Sequence, residues 1–138
     1  MTNTEDWSAE ETEERLHRMF EMAQTLEGGI EFMDVEFGDQ APTYQFRHGE
    51  HNITQMDDKM TKSMGEIIER YNLEINHQEE TPDGAVITAA QEQDVTGKDA
   101  YTVFQEICKT VYGCEAADAT NAYISPVEQA GAIPWTDL

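Results

Sequence analysis

Basic side chains are scarce in this chain. Lys and Arg together number 8 among 138 residues, against 29 Asp and Glu, for a formal charge of −21 at pH 7. So few cations cannot build the phosphate-neutralising face that nucleic-acid binding needs, and such binding is not expected. Cysteine is almost absent: Cys108 and Cys114 cannot make a disulfide framework. No apolar run approaches the roughly 20 residues of a spanning helix, so no membrane association is expected. The longest apolar run, from Ala85 to Ala90, is strand-sized. The start, Met1 to Trp7, lacks the basic residues and apolar centre of a secretory leader, and a cytoplasmic location is expected. Leu, Ile, Val and Phe total only 24 residues, a depletion that together with high charge warns of disorder. Seven Met, five Tyr and two Trp bring the large apolar set to 38, enough for one modest core, and their spacing favours a folded chain.

The charge is distributed along the whole sequence. Acids occur from Glu10 to Glu14, from Glu31 to Asp39, at Asp57 and Asp58, at Glu79 and Glu80, and at Asp94, Glu115 and Glu128. An acidic interaction tail would form one block. A surplus of this size repels itself in dilute buffer. At ~1 M salt the screening length falls to about 3 Å and the repulsion becomes local. The composition resembles the proteomes of salt-in halophiles such as haloarchaea, which implies a protein that works in brine. A DNA mimic would carry a similar count, but a solvated acidic coat accounts for it without a partner.

Hydrophobic spacing then divides the chain into elements. Ser8-Ala-Glu-Glu11 matches a capping box, and Leu16, Met19, Phe20, Ala23 and Leu26 recur at helical intervals up to Gly28-Gly29. Residues 30–37 alternate as a strand, with Ile30 and Phe32 out of phase as at a bulge. Residues 43–48 form a second strand. Asn52 is placed to cap a long helix whose stripe runs Ile53, Met56, Met60, Met64, Ile67, Ile68 and Tyr71. Residues 73–77 and 85–90 are expected to pair as a hairpin across Pro82-Asp-Gly84. Thr96 is expected to cap a last helix with Tyr101, Phe104, Ile107, Cys108 and Val111 buried, ending at Gly113. The alanines of 116–122 favour a short helix, which Pro126 and Pro134 end.

The expected fold is therefore one α+β domain over 1–138: a two-layer sandwich, order αββαββα, with a mostly antiparallel four-stranded sheet and helices on one face. Residues 1–7 are expected to be loose and 115–138 to pack as a tail. In outline this order resembles small chaperone-like α/β folds, with no shared motif.

Candidate chemistry is sparse. His48, His51 and His77 could hold a zinc-like ion if their strands brought them together, with Glu50 nearby. Cys108 lies on an apolar stripe and Cys114 beyond the helix end, in no nucleophile motif. Met56, Met60 and Met64 form an adaptable stripe that suits a partner surface, and Trp135 is an interface-anchor type. Carboxylate pairs carry no information among 29 acids. No phosphate-cradling glycine loop or serine elbow is present. The expected role is a small acidic, non-catalytic protein-interaction or accessory module, binding a protein partner and able to form a homodimer, with no cofactor. The alternative is a metal-binding protein or enzyme using His48, His51 and His77.

Overall fold

The computed structural model describes residues 7–26, 28–93, 97–127 and 131–137. The expected cap Thr96 and the expected loose residues 1–6 lie outside the described residues. Helix α1 (Ala9–Thr25) begins at the expected cap: the Glu11 amide donates to Ser8 Oγ at 3.1 Å, and Thr12, Leu16, Met19, Phe20 and Ala23 are buried. The Glu11 side chain reaches forward to Arg15, 3.1 Å away, instead of back to the cap.

Three strands follow as an antiparallel meander, β1 (Ile30–Glu36), β2 (Tyr44–Arg47) and β3 (Glu50–Gln55). The register of β1 slips between Ile30 and Phe32, the bulge that the two phases of the sequence suggest. Helix α2 (Asp58–Arg70) leads into the hairpin of β4 (Glu74–Glu80) and β5 (Val86–Gln91). Helix α3 (Gly97–Glu106) continues as a π-helical turn, Ile107–Tyr112, which Gly113 ends at a left-handed φ of 68°. A 3-10 turn (Ala116–Asp118), β6 (Asn121–Pro126), the two-residue β7 (Ile133–Pro134) and a 3-10 turn (Trp135–Asp137) complete the chain.

The seven strands form one open antiparallel sheet in the order β4-β5-β3-β2-β1-β6-β7. The chain is α+β, as the sequence implies, but the sheet has seven strands instead of four. Two local readings account for two of the three additional strands, β3 and β6; the third is the two-residue β7. Residues 50–55 form strand β3, not the first turns of a helix, and Asn52 is not a cap. His51, Ile53 and Gln55 are buried there while Glu50, Asn52 and Thr54 are half-buried, a period of two. Ile53 also fits the spacing of the methionine stripe, which disguises the boundary. The cap is Asp57, whose Oδ1 accepts from the Met60 amide at 2.8 Å. Of the segment 116–122, expected as a short helix because alanines favour helix, Ala116–Asp118 forms a 3-10 turn, while Asn121 and Ala122 open strand β6. Tertiary pairing with β1 overrides that propensity, because Ala122 and Ile124 complete the buried face of the sheet.

One face of the sheet carries the core. Val35, Tyr44 and Ala122 stand in one row and Met33, Phe46 and Ile124 in the next, all inaccessible to solvent. Phe20 of α1 joins them, with ring centroids 5.1 Å from Phe46 and 5.1 Å from Phe104 of α3. Met64 and Ile67 of α2 belong to the same cluster. Burying side chains of this size stabilises by about 1.5–3 kcal/mol each. The last turn of the chain is strapped onto α1: the Trp135 ring meets Trp7 edge-on at 5.0 Å, and Arg15 Nη1 donates to the Trp135 carbonyl at 3.4 Å.

Candidate functional site

The three histidines expected to converge occupy different environments. His48 sits exposed in the β2–β3 turn with φ of 47°. His77 projects from β4 and is exposed, with Nε2 3.2 Å from Glu79. His51, on β3, is completely buried. Strands β2 and β4 are separated by β3 and β5, so the sheet order itself keeps His48 and His77 apart. Among the described residues no group of three His, Cys, Asp or Glu side chains is placed to hold a metal ion.

The residues expected to meet a partner divide in the same way. Met64 and Trp135 are each about 1% exposed and belong to the core. Met60 is half-buried against that core, and its Sδ lies 3.3 Å from the Met56 amide. Met56 itself is 55% exposed, at the β3–α2 junction. The helical spacing of this stripe is therefore a packing stripe from Met60 onward. Cys108 and Cys114 are both buried, Cys114 included, and the Cys114 amide donates to the Cys108 carbonyl at 2.9 Å. Burial pushes both thiols up, Cys108 furthest, away from the thiolate form that a nucleophile needs.

The polar cluster that sequence reasoning missed is built around His51. Its imidazole lies between Tyr44 of β2 and Glu92, the residue after β5. Tyr44 Oη is 2.5 Å from Nδ1, and Nε2 is 3.1 Å from Glu92 Oε2. Burial, with Glu92 next in effect, pushes the Tyr44 hydroxyl well above its ordinary range, so it keeps its proton. It therefore donates to Nδ1, which leaves Nε2 to carry the hydrogen and donate to the carboxylate. The order carboxylate–imidazole–hydroxyl is that of a catalytic relay, but Tyr44 and His51 are fully buried and Glu92 is 6% exposed. A reacting group must meet its substrate within hydrogen-bond reach, and these atoms are surrounded by Phe46 and Phe104. The cluster satisfies buried polar groups and ties β2, β3 and the end of β5 together. The alternation of His51 with Ile53, and Glu92 just beyond the 85–90 apolar run, were the available signals.

Accessible concave surface lies elsewhere. Helices α1 and α3 leave a groove of about 450 Å³ lined by Glu13, Glu14, His17, Tyr101, Thr102 and Gln105. The His17 ring stacks on Tyr101 with centroids 4.9 Å apart and planes 22° apart, and the Tyr101 hydroxyl donates to the Glu13 carbonyl at 3.3 Å. Glu14 is held by Arg18 at 2.5 Å, and His17 lies 3.7 Å from Glu21. The Glu13 carboxylate makes no ion pair among the described residues. A second groove, of about 470 Å³, lies between Trp7, Ala9, Thr12 and residues 117–120.

Among the described residues no helix is long and apolar enough to cross a membrane. No protein-family model, no curated protein and no solved structure matches this chain.

Proposed function

We propose that this protein is a small non-catalytic interaction module of concentrated-salt environments, and that it grips a Lys or Arg side chain of a protein partner in the α1–α3 groove. The observation that carries this reading is the pairing, in one groove, of stacked His17 and Tyr101 rings with the Glu13 carboxylate, which makes no ion pair among the described residues. A cation is attracted both by an aromatic face and by a carboxylate. At ~1 M salt the screening length is about 3 Å, so attraction acts only between groups in contact, as they would be in this groove. The Tyr44–His51–Glu92 cluster supports the non-catalytic side, since this carboxylate–imidazole–hydroxyl arrangement is buried among core rings. The acidic coat supports the setting in salt. Elements distant from the groove carry it as well, including strand β4, where Glu74, Glu79 and Glu80 are all exposed.

The test is affinity capture in molar KCl with wild-type protein and with Glu13→Lys and His17→Ala variants. A partner retained by the wild type and lost by both variants supports the reading. Equal retention by all three would sink it, as would the absence of any retained partner. Stoichiometric metal in protein purified without a tag would also overturn it.

A further inference from the structure

The outer face of the sheet holds a second recognition site, and we infer that it binds a neutral polyhydroxylated ligand, a sugar ring. Strand registers place Asp34, Gln45 and Asn52 side by side on three adjacent strands, with Tyr123 of β6 opposite Asp34. Asp34, Gln45 and Asn52, together with Thr43, Ile53 and Thr54, line a groove of about 200 Å³.

The groove is organised before any ligand arrives. The Tyr123 hydroxyl donates to Asp34 Oδ2 at 2.7 Å, and Gln45 Nε2 donates to Asp34 Oδ1 at 3.0 Å. Each carboxylate oxygen is thus fixed by one donor and keeps further acceptor capacity. Asn52 donates one of its two amide hydrogens to Glu50 at 3.3 Å, which leaves the other hydrogen and its carbonyl oxygen for a ligand. Gln45 Oε1 and the Thr43 and Thr54 hydroxyls have no partner among the described residues. The site therefore offers several fixed acceptors and two rotatable hydroxyls. A hydroxyl is both donor and acceptor, and a ring bearing several matches such a set. At the β1–β6 side, Phe32 and Tyr123 form an edge-on pair with centroids 6.4 Å apart, and both are half-buried. Their apolar faces suit the C–H face of a sugar. No Lys or Arg lines the groove and Asp34 is anionic, which excludes phosphates and other anions. The surface is on the opposite side of the sheet from the helices, so it is independent of the α1–α3 groove.

The experiment is an amide NMR titration in molar KCl with methyl glycosides of glucose, mannose and galactose, and in parallel with inorganic phosphate and calcium chloride. Wild type is compared with Asp34→Ala, Asn52→Ala and, on exposed α2, Lys62→Ala, each checked for its fold by circular dichroism. The expected result is saturable shifts within β1, β2 and β3 for at least one glycoside. Affinity should fall at least tenfold in Asp34→Ala and Asn52→Ala and stay unchanged in Lys62→Ala. Absence of saturable shifts with all three glycosides overturns the proposal. So do shifts that survive both groove variants, or a response of these amides to phosphate or calcium and not to the glycosides.

Discussion

His51 Nε2 lies 3.1 Å from Glu92 Oε2, and this contact joins the second residue of β3 to the residue that follows β5. Both side chains are almost inaccessible to water, and the Tyr44 hydroxyl occupies the other imidazole nitrogen. Removing the imidazole leaves a carboxylate and a phenol buried without partners. Breaking such a buried pair on one side costs about 3–5 kcal/mol. His51→Ala should therefore lower the unfolding free energy from urea titration in molar KCl by that amount, whereas Glu92→Gln, which keeps an acceptor for Nε2, should cost roughly 1 kcal/mol. Comparable losses in the two variants would show that the charge on Glu92, and not the hydrogen-bond chain, does the stabilising.

Trp135 and Met56 make a second comparison. Both residues have the chemistry of interface anchors, but one is about 1% and the other 55% exposed. Trp135 closes the chain onto α1 through Trp7 and Arg15. Trp135→Ala should cost about 3–5 kcal/mol in equilibrium unfolding. Met56→Ala should stay within about 0.5 kcal/mol, as for an exposed residue without special contacts. Acrylamide quenching of the Trp135 fluorescence, read in a Trp7→Phe background, should be weak until the protein unfolds.

Much of this architecture is legible in the sequence where one signal acts alone. The α1 cap at Ser8, the bulge after Ile30 and the hairpin across Gly84 follow from residue chemistry within a few positions. Ion pairs within α1 are legible too, since Glu11–Arg15 and Glu14–Arg18 form at four-residue spacing. Arg70 shows the limit: it pairs with Glu106, 3.2 Å away on the neighbouring helix, and not with Glu66 four residues earlier, as the same spacing would suggest. Strand β3 was hidden because Ile53 satisfies both a period of two and the start of a helical stripe. Strand β6 was hidden because its residues are selected by pairing with β1, a contact about 90 positions distant in the chain, which local propensity does not report. The Tyr44–His51–Glu92 cluster and the Asp34–Gln45–Asn52 groove are both products of strand order and register. Residues that meet only after three strands align leave no spacing rule in the sequence.

Burial also fixes how the protein answers to alkali. The Cys108 thiol and the Tyr44, Tyr101 and Tyr112 hydroxyls are all pushed up, chiefly by burial. Their ordinary values are 9.0 for the thiol and 10.0 for the phenols. Above those values the unfolded chain releases protons that the folded chain retains. Stability is therefore complete below about pH 9 and declines above it, with each group contributing up to about 1.4 kcal/mol per pH unit. Urea midpoints in molar KCl should be level from neutrality to about pH 9 and fall steeply beyond pH 10. Cys108→Ala should delay the onset of that fall. A level midpoint through pH 11 would mean that these groups ionise while folded.

The last prediction concerns the acidic coat. A charge of −21 on 15.6 kDa has few internal partners, because Lys and Arg total only 8. In dilute buffer, the Debye length of about 30 Å at ~0.01 M lets these charges repel one another across the whole molecule. At ~1 M it is about 3 Å, and the net repulsion between elements is removed. The melting midpoint should therefore rise continuously from dilute buffer to molar KCl. Replacing exposed Glu79 and Glu80 on β4 by Gln should raise the low-salt midpoint and leave the high-salt midpoint nearly unchanged. Ion pairs would give the opposite slope, since screening weakens them. Thermal melts by circular dichroism over a KCl series separate the two. A midpoint independent of salt would remove the brine setting from the proposed function.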